Sequence, residues 1–302
     1  MEREQHGLMH GKVCLVTGAT GGIGRATVEG LARLGATVII VGRNPQAGEA
    51  AIADIAAQTG NNSLELFLAD LSSQAELHRL AQAVIAKHEH LHVLINNVGN
   101  MQTQRRETVD GIELTFALNV LAPFLLTHLL LPLLKASTPA RIINVNSTAH
   151  RFVSKVNFDD LQATQDYRGM DTYSKAKLAN LLFTYELARR LDGSGCTVNA
   201  ADPGFTISAP DPASARTRPW YTRTIDPFMK IGSNIMTTTR AARSSIYIAS
   251  SPALAGISGK YFTTARKAVK SSQASYDEVA AQKLWQACMQ LSGLAQYESS
   301  PM

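Results

Sequence analysis

The fold is decided by the segment Thr17-Gly18-Ala19-Thr20-Gly21-Gly22-Ile23-Gly24. It follows a short apolar run, Lys12–Thr17, and leads into an amphipathic stretch, Ile23–Leu34, so it predicts a turn between a strand and a helix. Glycine suits this turn because a side chain would keep a phosphate away from the N–H groups that begin the helix. The segment therefore indicates a dinucleotide site, although its T-G-x-x-x-G-x-G spacing differs from G-x-G-x-x-G. The alternative is a turn that only packs a helix against a strand.

Short β-branched runs alternate with longer amphipathic stretches along the chain. This alternation predicts βαβ units and an α/β fold, with a parallel sheet covered by helices on both faces. The predicted strands are Lys12–Thr17, Thr37–Val41, Leu64–Leu68, Val93–Ile95, Arg141–Val145 and Thr197–Ala201. The predicted helices are Ile23–Leu34, Pro45–Gln58, Gln74–Lys87, Gly111–Lys135 and Thr172–Leu191.

No repeat, low-complexity tract or linker divides the sequence. We therefore expect a single domain over residues 11–294, with polar tails at 1–10 and 295–302. Two segments, 151–171 and 205–235, are long and weakly periodic, and both follow predicted strands. Because open α/β sheets bind ligands at the carboxyl ends of their strands, we expect these insertions to form the substrate pocket.

The composition is that of a soluble globular protein. The chain has 302 residues, of which 45% are hydrophobic and 18% charged. Its net charge of +5 is dispersed without a basic block, so we expect no nucleic-acid partner. Three separated cysteines favour a reducing compartment. No signal peptide or anchor is evident near the start, and polar residues and prolines interrupt the apolar run Leu118–Leu134, so we expect a cytoplasmic protein without a membrane span.

The end of the second predicted strand is where the adenosine ribose of a dinucleotide is bound. An acidic residue there favours NAD, because it hydrogen-bonds the ribose. The sequence has Val41-Gly42-Arg43-Asn44, with one arginine and no acid. A guanidinium pairs with a 2′-phosphate through two hydrogen bonds, so Arg43 favours NADP(H) over NAD(H). The alternative is a surface arginine at a strand end.

Tyr173 is the one tyrosine of eight that has a lysine four residues further on, Lys177. In a helix this spacing puts both side chains on one face. An exposed helix face is the ordinary explanation for such a pair. Here Ser147 also follows a predicted strand at the ligand-binding edge, and Asn119 lies in the long helix before it. The four residues together favour a catalytic set.

These residue types suit the reduction of a carbonyl. A free phenol has a pKa about three units above that of an ideal acid/base at neutral pH, which corresponds to roughly 4 kcal/mol. An ammonium about 4 Å away, at an effective dielectric constant near 20, supplies an energy of that order. We therefore predict that Lys177 lowers the pKa of Tyr173, that Ser147 donates to the carbonyl oxygen, and that Asn119 completes a proton relay.

In order and spacing, these motifs resemble the short-chain dehydrogenase/reductase family over about residues 11–294. The resembling residues are Thr17-Gly18-xxx-Gly22-x-Gly24, Asp70, Asn96-Asn97-Val98-Gly99, Asn119, Ser147, Tyr173-xxx-Lys177 and Pro203-Gly204. The resemblance implies a doubly wound parallel sheet of the Rossmann type with a variable substrate lid. It also implies hydride transfer between a nicotinamide and a carbonyl or alcohol carbon.

The resemblance further implies that Tyr173 and Lys177 bind the nicotinamide ribose. It implies that the backbone after Pro203-Gly204 contacts the carboxamide, with Thr206 nearby. The residues expected to bind the cofactor are Thr17, Gly18, Thr20, Gly22, Ile23, Gly24, Arg43, Asp70, Leu71, Asn97, Val98, Gly99, Tyr173, Lys177, Pro203, Gly204 and Thr206.

At the adenosine end, the resemblance implies that Asp70 and Leu71 line the adenine and that Asn97 supports the central strand and the cofactor ribose. Val98 departs from the family pattern, which usually has alanine there. Because its extra methyl groups lie close to the path of the adenosine, we expect a small adjustment of the cofactor and no loss of binding.

Three further segments resemble the retinol-dehydrogenase-like branch of the family: Ser147-Thr148-Ala149-His150, Asn157-Phe158-Asp159-Asp160-Leu161 and Ser258-Gly259-Lys260-Tyr261-Phe262. That branch tends to act on lipophilic alcohols and ketones and often prefers NADP(H). The resemblance thus implies a ketoreductase or alcohol dehydrogenase with a lipophilic or polycyclic substrate. Two alternatives are a cofactor-binding regulatory or scaffolding protein without turnover, and a nucleotide-sugar epimerase or dehydratase, which shares the Tyr-xxx-Lys pair.

The histidines His88, His90 and His92 alternate at the end of a predicted helix. A metal site is one interpretation and a solvated turn the other; far from other candidate ligands, the turn is favoured and we expect no metal. Arg105 and Arg106 either edge the substrate cleft or face water. The family resemblance implies a homodimer or homotetramer formed through the helices Gly111–Lys135 and Thr172–Leu191.

Overall fold

The computed structural model describes residues 7–204 and 237–297. Within these residues one sheet has the strand order β3-β2-β1-β4-β5-β6-β7-β8. The strands are β1 (Val13–Thr17), β2 (Thr37–Gly42), β3 (Leu64–Leu68), β4 (Val93–Asn96), β5 (Ala140–Val145), β6 (Cys196–Ala201), β7 (Tyr261–Phe262) and β8 (Ala268–Val269). Only β8 is antiparallel to its neighbour. The order runs outward from β1 and β4 in both directions, so their carboxyl ends form the switch point of a doubly wound sheet.

Helices cover both faces of the sheet. They are α1 (Gly22–Arg33), α2 (Pro45–Thr59), α3 (Gln74–Lys87), α4 (Leu114–Ala136), α5 (Gly169–Arg190), α6 (Arg243–Ser250) and α7 (Glu278–Leu291). α1, α2 and α6 contribute to the core on one face, and α3, α4, α5 and α7 to the core on the other. The predicted Rossmann-type fold is confirmed.

The strands are apolar on both sides because each side faces a layer of helices. Along β1, Cys14 and Val16 join one core and Leu15 joins the other. In β2, Ile39 and Ile40 divide in the same way, and both are fully buried. Burial of both faces is what makes parallel strands read as continuous apolar runs.

The sequence predicted six strands and five helices at their observed places. The largest difference in a boundary is three residues, at the starts of α4 and α5, which were predicted at Gly111 and Thr172. The insertion 151–171 contains the end of a 3-10 turn, Thr148–Phe152, and is otherwise irregular up to α5. The insertion 205–235 lies outside the described residues.

α4 carries a π-helical turn, Ala117–Leu121, near its start. Among the described residues it is the one helix long and apolar enough to cross a membrane, but 83% of its apolar window is buried inside the protein. Much of this cover comes from α3 and α5, and α7 adds to it through Trp285, whose ring lies 5.1 Å from the ring of Phe124 in α4 and 6.2 Å from that of Phe183 in α5. This burial agrees with the interpretation of the segment as a core helix.

Trp285 should therefore be a main contributor to the docking of α7. We expect Trp285→Ala to lower the free energy of unfolding by about 3–5 kcal/mol, because it leaves a cavity between three helices. Urea denaturation followed by circular dichroism measures this loss. The control is Val279→Ala on the same helix, whose side chain is 64% exposed and which should change stability by less than about 0.5 kcal/mol. Equal effects of the two variants would show that α7 does not pack as described.

Candidate active site

The glycine turn joins β1 to α1 at the switch point. Gly18 and Gly22 have φ angles of +63° and +55°, a left-handed conformation that side chains disfavour. At Gly24 a Cβ atom would lie 2.3 Å from the carbonyl oxygen of Gly18 and 2.6 Å from Nδ2 of Asn97. No side chain caps the start of α1, so its first N–H groups face the turn and are available to an anion.

Hydrogen bonds tie the end of β1 to the end of β4. Thr17 Oγ1 accepts from the backbone N–H of Asn97 at 2.9 Å and of Val98 at 3.1 Å, and Asn97 Nδ2 donates to the carbonyl oxygen of Thr17 at 2.8 Å. A Cβ atom on Gly18 would lie 2.7 Å from a methyl group of Val98. The extra bulk of Val98 thus lies against the glycine turn; that it lies close to the path of the adenosine stays a prediction.

The residues predicted to bind the adenosine end follow β2 and β3. Arg43 is exposed just beyond β2. Thr20 packs against Gly42, where a Cβ atom would lie only 2.3 Å from its methyl group. After β3, Asp70 Oδ1 accepts from both the N–H and the hydroxyl of Ser72, at 3.0 and 2.8 Å, and Leu71 is buried. The structure therefore puts these predicted residues at neighbouring strand ends.

Asn119 lies in the π-helical turn of α4. Its Nδ2 donates to the carbonyl oxygens of Asn100 at 2.7 Å and Thr115 at 2.8 Å. Its own carbonyl oxygen accepts from Nδ2 of Asn180 at 2.8 Å. The side-chain Oδ1 is buried without a hydrogen-bond partner among the described residues, and a buried acceptor of this kind is costly unless water or a ligand satisfies it.

Lys177 is buried beside Asn119. Its Nζ donates to the carbonyl oxygen of Val145 at 3.0 Å. A Cβ atom on Gly99 would lie 2.9 Å from Asn119 Oδ1 and 3.0 Å from Lys177 Nζ, so Gly99 leaves open the space between these two polar atoms. Burial lowers the pKa of Lys177 to about 8, and the negative charge of Asp202 opposes that shift.

Tyr173 and Ser147 complete the group. Ser147 follows β5, where its Oγ accepts from the N–H of Ala149 at 3.2 Å. Burial raises the pKa of Tyr173, and a hydrogen bond with Ser147 opposes the shift. Lys177 Nζ lies 5.6 Å from the centre of the Tyr173 ring, with its hydrogen bond directed to Val145. That Lys177 lowers the pKa of Tyr173 stays a prediction, because burial dominates in the protein alone.

The arrangement fits a nicotinamide dinucleotide. The cradle kept open by Gly24 and the uncapped start of α1 would hold the pyrophosphate. The polar space beside Gly99 lies near the two residues predicted to bind the nicotinamide ribose. Gly204 has φ +72° in the turn predicted to contact the carboxamide, whereas Thr206 lies outside the described residues.

Sequence reasoning missed three residues that organise this edge: Asn146, His150 and Asp202. Asn146 Nδ2 donates to Oδ1 of Asn180 at 2.8 Å and to the carbonyl oxygen of Lys177 at 3.0 Å. His150 Nδ1 lies 2.6 Å from the carbonyl oxygen of Ser147. Asp202 accepts from the N–H of Gly204. The available signal was that all three are polar residues in or just after strands that are otherwise apolar.

No group of three or more His, Cys, Asp or Glu within the described ranges is placed to hold a metal ion. His88 Nε2 lies 3.1 Å from a carboxylate oxygen of Glu65, and His92 Nδ1 accepts from the backbone N–H of Val13 at 3.1 Å. Arg105 Nε donates to the carbonyl oxygen of Gln162 at 3.0 Å, which ties the insertion 151–171 to the loop after β4. These contacts are structural.

A doubly wound sheet with a glycine turn is typical of a dinucleotide-dependent oxidoreductase when a tyrosine, a lysine and a serine lie together at its edge. The short chain dehydrogenase family profile matches residues 12–217. The chain belongs to this family, within its retinol-dehydrogenase-like branch, and is an oxidoreductase that acts on CH–OH or C=O groups.

Curated relatives include retinol dehydrogenase 12 of Mus musculus, 39% identical over 94% of this chain and 87% of the relative. Retinol dehydrogenase 14 of Homo sapiens is also 39% identical, over 92% of this chain and 85% of the relative. A crystal structure of an uncharacterised Mycobacterium paratuberculosis protein is similar with a TM-score of 0.74, 31% identity and 94% coverage of both chains. The Pseudomonas aeruginosa RhlG/NADP active-site complex gives a TM-score of 0.66, with 28% identity over 85% of this chain and 96% of that one.

Gly21 and Gly24, which lie in the same turn, offer a matched test of the cradle. Gly24→Ala would force its Cβ against the carbonyl oxygen of Gly18, so we expect cofactor affinity to fall at least tenfold, or about 1.4 kcal/mol. At Gly21 no atom lies within 4 Å of an added Cβ, so Gly21→Ala should change affinity less than threefold. Titration calorimetry with NADPH measures both. Equal affinities for the two variants would contradict the assigned packing.

Proposed function

We propose that this protein is an NADP(H)-dependent ketoreductase or alcohol dehydrogenase for a lipophilic substrate. The observation that carries the proposal is the meeting of Tyr173, Ser147, Lys177 and Asn119 at the carboxyl ends of β4 and β5. When bound, the nicotinamide supplies or accepts the hydride.

The four side chains would divide the remaining chemistry. Tyr173 gives the proton to the carbonyl oxygen during reduction and takes it back during oxidation. Ser147 donates a hydrogen bond to the same oxygen as negative charge develops there. Lys177 favours the phenolate through its charge, and the orphaned Oδ1 of Asn119 lies across the space beside Gly99 where a water would connect the amine to solvent.

The preference for NADP(H) rests on Arg43. The residue is exposed at the carboxyl end of β2, where a dinucleotide presents its adenosine ribose. No acidic residue follows β2 directly to repel a 2′-phosphate. RhlG, a structural neighbour, was crystallised with NADP, which supports this assignment by likeness.

The proposed substrate class rests on apolar side chains near the site. Met101 follows β4, Phe152 ends the 3-10 turn after Ser147, and Met170 lies one helical turn before Tyr173. They are 41%, 72% and 53% exposed, so each presents apolar surface close in sequence to a predicted site residue, Gly99, Ser147 or Tyr173. A lipophilic alcohol or ketone would cover them, and the relatives named retinol dehydrogenases agree with this class.

A regulatory protein without turnover is less well supported, because it has no need of a buried amine facing an orphaned amide oxygen. The nucleotide-sugar epimerase or dehydratase alternative is not favoured by the relatives. A cytoplasmic location stays a proposal. So does a homodimer or homotetramer formed through α4 and α5.

Tyr173→Phe tests the proposed acid/base. The variant removes one hydroxyl and keeps the ring, so we expect kcat to fall by about 10²–10⁴-fold while the affinity for NADPH changes less than threefold. The matched control is Tyr167→Phe, which removes a hydroxyl bound to Thr115 and Glu113 outside the proposed set and should retain most of the activity. Full turnover by Tyr173→Phe would rule out the mechanism.

Arg43→Ala tests the cofactor preference. If the guanidinium binds the 2′-phosphate, NADPH affinity should fall at least tenfold and NADH affinity by less than twofold. Arg33→Ala, which removes the same charge at the far end of α1 where Arg33 pairs with Glu29, controls for net charge. Equal losses for both cofactors would refute the assignment.

The substrate class is tested by a screen of NADPH oxidation against lipophilic and quinonoid ketones, with small polar ketones as the comparison. Higher kcat/KM for the lipophilic members supports the proposal. If wild-type protein binds NADPH yet no member is reduced, the regulatory alternative gains support.

A further inference from the structure

Asp202 follows β6 at the edge where the catalytic group lies. The carbonyl oxygen of Ala201 accepts from the backbone N–H of Asn146 at 2.8 Å, and the N–H of Asp202 donates to the carbonyl oxygen of Phe262 at 2.8 Å. These bonds place Asp202 between the end of β5, which leads to Ser147, and the end of β7. The residue is only 3% exposed, so its carboxylate acts in a region that water screens weakly.

Both carboxylate oxygens of Asp202 are held in place. Oδ1 accepts from the backbone N–H of Gly204 at 2.8 Å, and Oδ2 accepts from the hydroxyl of Tyr261 at 2.7 Å. The Tyr261 ring is itself fixed, since it is buried and meets the ring of His150 edge-on at 5.1 Å. The ion pairs found within the described part of the chain do not include Asp202.

Neutral residues could provide these two hydrogen bonds at lower cost, because burying a charge is expensive. An asparagine would still accept one of them, and a tyrosine hydroxyl can find other acceptors. The negative charge itself therefore calls for an explanation beyond folding. The charge of Asp202 acts on the proposed catalytic group, because it raises the pKa of both Tyr173 and Lys177.

We propose that the Asp202 carboxylate selects the oxidised form of the cofactor by its charge. This inference rests on the proposed function. Because Tyr173 and Ser147 must contact the carbonyl that exchanges a hydride, the reacting ring of the cofactor must lie at the same edge, within the field of Asp202. That ring is positive when oxidised and neutral when reduced, so a fixed negative charge stabilises only the oxidised form.

The consequence concerns the direction of the reaction. A site that binds the oxidised form more tightly than the reduced form lowers the reduction potential of the bound cofactor and makes the bound reduced form a stronger hydride donor. Asp202 would thereby favour carbonyl reduction on the enzyme. A purely structural role in the Pro203-Gly204 turn would instead affect both forms of the cofactor alike.

The test compares the dissociation constants of NADP⁺ and NADPH for wild type and Asp202→Asn, by titration calorimetry and NADPH fluorescence. If the wild type prefers NAD, NAD⁺ and NADH replace them. A pH of 6.5 keeps Lys177 protonated, since its pKa is about 8 and loss of Asp202 lowers it further. We expect Asp202→Asn to weaken NADP⁺ binding about tenfold, as a unit charge acting over roughly 10 Å in a partly buried site predicts, and NADPH binding less than twofold.

Tyr261→Phe is the matched control, because it removes the hydrogen bond to Oδ2 and keeps the charge. It should leave the ratio of the two dissociation constants within twofold of wild type. Asp202→Ser, neutral and smaller, should repeat the loss of Asp202→Asn and serves as the second variant if the first is unstable. Equal weakening of both cofactor forms by the neutral variants, or an equal change of the ratio in Tyr261→Phe, would overturn the inference. Failure of the wild type to bind either form would instead overturn the proposed function.

Discussion

The proposed active site, at the carboxyl ends of the strands, depends on the burial of one ammonium group. Lys177 is 3% exposed, and a buried amine is tolerated only where its hydrogen bonds and its charge are balanced. Val145 supplies a carbonyl oxygen at 3.0 Å, and Asp202 supplies a negative charge that favours the protonated amine. The glycine at 99 is required because any side chain there would fill the space that Nζ faces.

Buried amides hold the surrounding elements in register. Asn96 in β4 donates to Oδ1 of Asn144 in β5 at 2.9 Å, and Asn144 donates to Thr184 in α5 at 2.9 Å. Asn180 in α5 bonds both Asn146 and the backbone of Asn119 in the π-helical turn. An apolar core tolerates small shifts between a helix and a sheet, whereas satisfied buried amides do not. The catalytic side chains are consequently positioned by a polar layer inside the core.

The fold could be predicted from the sequence because the periodicity of apolar residues and the spacing of glycines are local signals. Six parallel strands were evident, since each is long enough to show an apolar run, whereas β7 and β8 have two residues each and show no period. Tyr173 and Lys177 could be proposed as a catalytic pair because four residues along a helix put both on one face. Asp202 and His150 could not be found in this way because the residue that both contact, Tyr261, is distant from them in the sequence. The roles assigned to the site residues remain predictions.

The surroundings of Tyr173 explain why its phenol pKa is not low in the protein alone. Burial and the charge of Asp202 both favour the neutral phenol. The Lys177 ammonium would oppose them, but burial lowers the pKa of Lys177 and so disfavours its charged form. A site arranged in this way keeps Tyr173 protonated until a further positive charge arrives. An oxidised nicotinamide brings that charge, and a reduced one does not. In the proposed function, the tyrosine would therefore be a proton donor when the cofactor is reduced and a base when the cofactor is oxidised.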